Sequence, residues 1–351
     1  MNPEQIADAV PVDRLHHWID DALGDVGPLE VTHLSGGSSN LTFRVRGADV
    51  DWVLRRPPLG PLLATANDMA REFRVQRALV DTAVPVARTI ALCDDPRVIG
   101  QPFYLMEFVA GTVYSDTDAV AGLGDAQRAA ATDELIDVLA RLHAVDVDAV
   151  GLTELGHPEG FLERQIRRWR TQWERSRQRE LPSIDELARR LEASIPSTTD
   201  TGIVHGDYSF NNTMWSEADP TRMVAVLDWE MSTLGDPLTD LGMVVSYWGE
   251  AGAIMWRDRA AQPHRAGAGF PDADHLIARY ERTSGRAVHD LDVYRVLAVF
   301  KLAIIIEGAL ARLRATRPDA DTARTAATVE ELAAVALDLA DGSTIATLRG
   351  R

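Results

Sequence analysis

The apolar positions in the first hundred residues predict a small antiparallel sheet. Helical spacing comes first, over residues 11–24, where Leu15, Trp18, Ile19 and Leu23 share one face. Five short strands are predicted after it, bounded by turn residues: Glu30–Leu34, Leu41–Val45, Trp52–Leu54, Arg88–Leu92 and Phe103–Val109. A helical pattern over residues 65–80 lies between the third and fourth strands. We therefore expect a five-stranded sheet with one inserted helix.

Beyond Gly111 the pattern becomes mostly helical. The segments with helical periodicity are 125–144, 158–180, 183–193, 236–249, 272–284, 290–315 and 321–340. A β-rich insert from Ile203 to Asp228 interrupts them. A small β-rich part followed by a larger helical part is an α+β arrangement. We divide the chain into a β-rich lobe with a leading helix, residues 1–110, and a helical lobe, residues 111–351.

Charge and composition exclude several classes of protein. The chain has 351 residues and a formal net charge of -17, which repels nucleic acid. The single cysteine, Cys93, forms no intrachain disulfide and fits a reducing compartment. The first residues do not resemble a signal peptide. The apolar run 296–313 contains Lys301, Glu307 and Arg312, so it predicts a buried helix and no membrane span. These features predict a cytoplasmic protein.

Two polar segments in the helical part have the spacing that phosphoryl transfer requires. His205-Gly-Asp-Tyr-Ser-Phe-Asn-Asn212 is followed by Val226-Leu-Asp-Trp-Glu230. Transfer to a hydroxyl needs a carboxylate that accepts the proton and oxygen ligands that hold Mg²⁺ against the phosphates. Asp207 and Asn212 can supply a base and a ligand from one loop, and Asp228 can complete the metal site. An isolated His-Gly-Asp turn would be ordinary, but the combined pattern favours catalysis.

The combined pattern resembles the aminoglycoside phosphotransferase and choline kinase family. That family is a small-molecule branch of the protein-kinase-like fold, so the resemblance implies a bilobal protein that uses ATP and Mg²⁺. It implies that Asp207 is the catalytic base, that Asn212 and Asp228 are metal ligands, and that Glu230 assists the metal. His205, together with Asp240 at the start of a helix, would support the loop. The segment L-R-R-P-P at 54–58 is closest to the subgroup related to kinase domains fused to acyl-CoA dehydrogenases.

The same resemblance implies a nucleotide site in the β-rich lobe. The turn from Ser35 to Phe43 is similar to the family's phosphate loop and makes Ser38 and Ser39 candidate ligands. On the third strand, alternation places Val53 and Arg55 on one face, with Arg56 on the other.

Within that site, Val53 would pack on adenine and Arg55 would reach the phosphates. Protein kinases have lysine at the position of Arg55. Family members similar to choline kinase, by contrast, also carry arginine there. Glu72 on the following helix is the expected partner of Arg55, although a surface glutamate is the simpler interpretation of that residue alone.

The fifth strand would border the adenine pocket of this fold. By the resemblance, Met106 gates the pocket, and the backbone of Glu107 and of Phe108 or Val109 hydrogen-bonds the base. Because these contacts use the main chain, the side chains alone do not decide between Phe108 and Val109.

The sequence leaves the acceptor open. The segment 161–180 holds seven arginines and interleaved tryptophans, and it has two interpretations. One is a solvated helix with an apolar stripe in the core. The other is an anion-binding edge that includes Arg164 and Arg168, for a hydroxyacyl-CoA or hydroxy-acid acceptor. An aminoglycoside-like acceptor also stays open.

Two other kinds of protein compete with a small-molecule kinase. A protein kinase is disfavoured because the H-R-D, D-F-G and A-P-E elements are missing. A non-catalytic nucleotide-binding regulatory module remains the alternative. No residue pattern indicates flavin binding.

Overall fold

The computed structural model describes residues 1–34, 40–59, 68–197, 200–257 and 269–350. The chain divides into two compact units. The first comprises residues 1–111 and 224–232, and the second comprises residues 112–223 and 233–351. Asp228 and Glu230 therefore belong to the first unit, whereas Asp207 and Asn212 belong to the second.

The first unit is built on the predicted five-stranded antiparallel sheet. Its strands are β1 (Glu30–Leu34), β2 (Leu41–Arg46), β3 (Asp51–Arg56), β4 (Thr89–Cys93) and β5 (Phe103–Glu107). They are arranged in the order β1-β2-β3-β5-β4. The central strand β3 pairs Leu54 with both Phe43 of β2 and Leu105 of β5, and all three side chains are fully buried. Buried residues alternate along β2, whereas β3 and β5 bury consecutive residues because side chains pack on both faces of the sheet.

Among the described residues, four α-helices accompany this sheet: α1 (Pro3–Ala9), α2 (Val12–Leu23), α3 (Met69–Leu79) and α4 (Pro96–Ile99). Helix α2 confirms the predicted leading helix and buries Leu15 and Ile19 against one face of the sheet. Helix α3 packs Phe73 on Tyr104 at the other face. Residues 65–67 of the helix predicted over 65–80 lie outside the described residues. Helix α1 was not predicted, since its signal is a capping box between Asn2 and Gln5 rather than apolar spacing.

The second unit is mainly helical, as predicted. Its helices are α5 (Asp125–His143), α6 (Phe161–Ser176), α7 (Pro182–Glu192), α8 (Leu238–Trp248), α9 (Glu250–Met255), α10 (Ala273–Ser284), α11 (Leu291–Thr316) and α12 (Ala323–Gly342). Its short strands are β6 (Thr112–Val113), β7 (Gly202–Val204), β8 (Thr213–Trp215) and β10 (Thr233–Gly235). Strand β6 pairs with β8, and β7 pairs with β10. Strand β9 (Met223–Val226) lies where the chain passes from the second unit to the first.

Helix α11 is the core of the second unit. It packs against α6, α7, α8 and α12. Most of its side chains from Val293 to Ile304 are buried, which confirms the predicted buried helix. Among the described residues, no helix combines the length and the apolar character needed to cross a membrane.

Candidate active site

Asp207 lies on the loop after strand β7, and two side chains hydrogen-bond its carboxylate. The hydroxyl of Tyr247 donates to Oδ1 of Asp207 at 3.0 Å, and Nδ2 of Asn212 donates to Oδ2 at 3.0 Å. The same amide donates to the backbone carbonyl of Asp207 at 2.8 Å. Asp207 and Asn212 are both partly exposed. The structure therefore brings these two predicted residues together and orients a solvent-accessible carboxylate, as a general base requires.

Asp240 accepts hydrogen bonds from the backbone of this loop. It is fully buried in the first turn of α8. Its two oxygens accept the backbone N–H groups of His205 at 2.6 Å and Gly206 at 2.8 Å. His205 is also fully buried, and its ring packs edge-on against Tyr208. His205 and Asp240 thus lie buried beside the loop and contact it, which is consistent with the structural roles proposed for them.

A second histidine completes the support. Nε2 of His143 lies 3.3 Å from Oδ2 of Asp240, and Nδ1 of His143 lies 2.8 Å from the hydroxyl of Tyr280. Burial acts to raise the pKa of Asp240, but His143 and His205 outweigh it and hold that pKa below its ordinary value. The buried carboxylate therefore stays ionised.

We expect Asp240→Asn to lower the free energy of unfolding by about 3 kcal/mol, because an amide N–H₂ then meets backbone donors in a buried site. Urea unfolding at neutral pH measures this loss. Since the folded-state pKa is lowered, the carboxylate contributes above its ordinary pKa, and the contribution disappears as pH falls through the folded value. The difference between variant and wild type should therefore shrink in acid.

The matched control is Asp274→Asn, an exposed aspartate in the first turn of α10. Its effect should stay within about 0.5 kcal/mol. Equal stabilities of the two variants at neutral pH would contradict the supporting role of Asp240.

Tyr247 was missed by the sequence analysis. It lies on the apolar helix α8, where its pattern indicates only a buried position. Burial, followed by the nearby Asp207 carboxylate, raises the pKa of the Tyr247 hydroxyl well above its usual range. The phenol therefore stays neutral and can donate to Asp207. Its ring also packs against Trp256 with the centroids 4.8 Å apart.

The first unit contains a second polar cluster around Arg55. Its Nε lies 2.7 Å from Oε2 of Glu72, and its Nη2 lies 2.6 Å from Oδ1 of Asp228. The expected pair between Arg55 and Glu72 is thus present in the structure. Arg56 points to the opposite side of the strand, where it donates to the backbone carbonyls of Ala9 and Ile99. Strand alternation alone therefore separated the two arginines correctly.

The charges of this cluster do not balance. Three carboxylates, those of Glu72, Asp228 and Glu230, surround one guanidinium, and oxygen atoms of the three lie within 4.8 Å of one another. Burial raises the pKa of Glu72 to about 7; Arg55 opposes this rise, and the two neighbouring carboxylates add to it. Burial disfavours the charged Arg55, but the acidic groups around it raise its pKa above the usual value. An excess of hard oxygen ligands fits a divalent cation such as Mg²⁺.

Two details of this cluster were not predicted. Asn40 is buried, and its amide donates to Glu72 at 2.9 Å and to Glu230 at 3.3 Å, so it connects two of the three carboxylates. Asp228 has a φ of 63°, a left-handed backbone that is uncommon for a residue other than glycine. Such a conformation persists where the surroundings hold a side chain in a required direction.

The residues predicted to border adenine lie on adjacent strands of the first unit. Val53 on β3 is buried and is paired with Met106 on β5. The N–H of Glu107 donates to Arg88 O at 2.8 Å, and the N–H of Phe108 donates to Asp51 O at 3.0 Å. Of the two residues that the sequence left open, Phe108 has its N–H occupied, which favours Val109. The predicted phosphate-loop residues Ser38 and Ser39 lie outside the described residues.

The arginine-rich helix α6 fits the simpler interpretation over much of its length. Its apolar stripe, which includes Trp169 and Trp173, is buried. Arg164 is exposed but donates to the backbone carbonyls of His157 and Glu159. Arg168 is exposed, with its guanidinium 5.4 Å from the centre of the Trp169 ring. Local contacts thus engage Arg164, and Arg168 is the better placed of the two for an anion.

Comparison with known sequences finds relatives over most of this chain. The sequence profile of the phosphotransferase enzyme family matches residues 30–275. The chain is 32% identical over 337 residues to acyl-CoA dehydrogenase family member 10 of Mus musculus and 34% identical over 317 residues to family member 11 of Rattus norvegicus. These alignments cover 95% and 89% of this chain but 31% and 40% of the relatives. The chain therefore spans less than half the length of each relative.

Solved structures of phosphotransferases share the fold of this chain. A Ralstonia eutropha protein provisionally assigned as an aminoglycoside phosphotransferase superposes with a TM-score of 0.78 at 35% identity, covering 93% of this chain and 97% of the other. The aminoglycoside phosphotransferase APH(4)-Ia, in complex with AMP-PNP and hygromycin B, superposes with a TM-score of 0.60 at 15% identity, covering 94% and 99%. The predicted α+β, protein-kinase-like fold is thereby confirmed.

Proposed function

Because this chain belongs to the phosphotransferase enzyme family, we propose that it transfers the γ-phosphoryl group of Mg-ATP to a hydroxyl group of a small molecule. The observation that carries the proposal is the partly exposed Asp207 carboxylate, held by Tyr247 and Asn212. A carboxylate oriented in this way can accept a proton from a hydroxyl that lies against it.

The first unit would bind the nucleotide. Val53 and Met106 would contact adenine, which would donate to the backbone carbonyl of Glu107 and accept from the N–H of Val109, while Arg55 would contact the phosphates. Ser38 and Ser39 remain the proposed ligands from the phosphate loop. The guanidinium of Arg55 provides a fixed charge and two-point hydrogen bonding, which suit a phosphate group.

The metal would be held by carboxylate and amide oxygens. Asp228 and Glu230 are proposed ligands, and the family resemblance adds Asn212 as a further proposed ligand. Bound Mg²⁺ would neutralise charge on the phosphates and favour departure of ADP. The excess of carboxylates around Arg55 supports this assignment, since a divalent cation would balance it.

The chemical step would proceed in line. The acceptor oxygen forms a bond to the γ-phosphorus as the bond between that phosphorus and the β–γ bridging oxygen breaks, and ADP leaves with that electron pair. The acceptor proton passes to a carboxylate oxygen of Asp207. Tyr247 and Asn212 keep that carboxylate in one orientation, which limits the reorganisation needed during transfer.

Two classes of acceptor are proposed. Hydroxyacyl-CoA or hydroxy-acid acceptors fit the relationship to the acyl-CoA dehydrogenase family members and an anion site that includes Arg168. An aminoglycoside-like acceptor fits the structural neighbours, one of which was solved with hygromycin B. Arg164 contributes less to an anion site because its guanidinium is bonded to its own loop.

The test is nucleotide consumption by the full chain with Mg-ATP and a panel of hydroxyacyl-CoAs, hydroxy acids, aminoglycosides and choline. One acceptor class should be phosphorylated, and its phosphate ester should be visible by mass spectrometry. No ester with any acceptor, from a protein that binds Mg-ATP, would contradict the proposed function and favour a nucleotide-binding regulatory module.

A further inference from the structure

Lys301 is the only lysine in the chain. The sequence contains 36 basic residues, and the other 35 are arginines. Lys301 lies in the middle of helix α11, and only 8% of it is exposed. Burying an ammonium group is unfavourable unless specific partners compensate it. Arginine would carry the same charge, so a lysine at this one position indicates a need for a compact ammonium group rather than a planar fork.

The ammonium group contacts the residue that precedes Asp207. Nζ of Lys301 donates to the carbonyl of Gly206 at 2.5 Å. Gly206 has a φ of 86°, and its own N–H donates to Asp240. The peptide group that joins Gly206 to Asp207 therefore has its carbonyl bonded to Lys301, while its N–H lies 3.3 Å from Nδ1 of His205. Rotation of this peptide would change the direction of the Asp207 side chain.

The surrounding charges show which groups the ammonium faces. Burial lowers the pKa of Lys301, and Arg168 adds to that effect, whereas the carboxylates of Asp207 and Asp240 oppose it. Nζ also lies 5.7 Å from the centre of the Trp169 ring. Lys301 is thus a buried amine that donates to the backbone carbonyl next to Asp207, and the carboxylates of Asp207 on the loop and Asp240 on α8 both act on its pKa.

We infer that Lys301 is a positioning residue: it fixes the peptide between Gly206 and Asp207 and balances the charge of the Asp207 and Asp240 carboxylates, so that Asp207 stays directed at the acceptor hydroxyl. This inference rests on the proposed phosphotransferase function. Lys301 does not contact the reacting atoms in this role. If Lys301 served only for packing, Lys301→Met would leave activity unchanged, because methionine fills the same space without a buried charge.

The single lysine allows a direct measurement of this arrangement that is independent of turnover. The full chain with lysine labelled at ¹³Cε and ¹⁵Nζ should give one lysine signal by nuclear magnetic resonance. Asp207→Asn should move that signal by several line widths, because it removes a charge close to the ammonium group. The control Asp133→Asn, on helix α5 beside Arg279, should leave the signal in place.

Kinetics then test the positioning role. With the acceptor found in the panel, Lys301→Met should lower kcat by about 100-fold, with the KM for Mg-ATP within about twofold of wild type and an unchanged or higher thermal midpoint. Lys301→Arg should also lose activity, because a planar fork does not replace a compact ammonium group.

The results separate this inference from the proposed function. A wild-type chain that phosphorylates no acceptor would refute the function, while a lysine signal that responds to Asp207→Asn would still support the contact. A lysine signal unaffected by Asp207→Asn would overturn the inference. So would Lys301→Met with kcat within twofold of wild type, or with kcat and thermal midpoint falling together.

Discussion

Asp207→Asn is expected to lower kcat for phosphoryl transfer by about 10³-fold, because positioned acid–base groups contribute about 10²- to 10⁴-fold. The amide has nearly the shape of the carboxylate, so the loop should keep its conformation. It cannot accept the hydroxyl proton. One of the two donors that now bond the carboxylate, Tyr247 or Asn212, would face the amide N–H₂ and turn away.

The affinity for Mg-ATP separates loss of chemistry from loss of the site. It should stay within about twofold of wild type for both Asp207→Asn and Asp207→Ala, since neither removes a proposed nucleotide contact. Calorimetric titration with Mg-AMP-PNP measures it, and single-turnover rates report the chemical step. Asp133→Asn is the matched control, an ion-paired aspartate of the same unit. A phosphoryl-transfer rate in Asp207→Asn within tenfold of wild type would remove Asp207 from the role of base.

Asp228→Ala should weaken the binding of Mg-ATP by about 30-fold, because a hydrogen bond or ligand contact to a charged group is worth about 2 kcal/mol. The side chain is a proposed metal ligand, and it also bonds Arg55, the proposed phosphate contact. Removing it takes away a proposed metal ligand, while Glu72 still bonds the Arg55 guanidinium. The unusual φ of Asp228 indicates that the fold holds this side chain in one direction.

The measurement compares affinities for ATP with and without Mg²⁺. In the wild type Mg²⁺ should strengthen binding, and in Asp228→Ala most of that gain should be lost, whereas metal-free ATP should bind with similar affinity. Glu30→Gln, an exposed carboxylate on β1 paired with Arg46, is the control and should behave as wild type. An unchanged Mg-ATP affinity in Asp228→Ala would exclude it from the metal site.

Local patterns were enough to predict the framework. Apolar alternation placed the five strands of the first unit, and helical spacing placed the long helices of the second, because both periods reflect which face of an element is buried. The spacing from Asp207 to Asn212 was informative because both residues lie on one short loop. Alternation on β3 also separated Arg55 from Arg56, since successive side chains on a strand point to opposite faces.

Only the tertiary structure identified the residues that support these groups. Tyr247 donates to Asp207 across 40 residues, and Lys301 bonds Gly206 across 95. Asn40 reaches Glu230 across 190 residues. Tyr247 and Lys301 lie in helices whose apolar pattern reports burial, and burial does not specify a partner. Such partners depend on how distant segments pack, so no spacing along the chain predicts them. The loop motif and the strand faces involve only neighbouring residues, and the sequence alone therefore determined them.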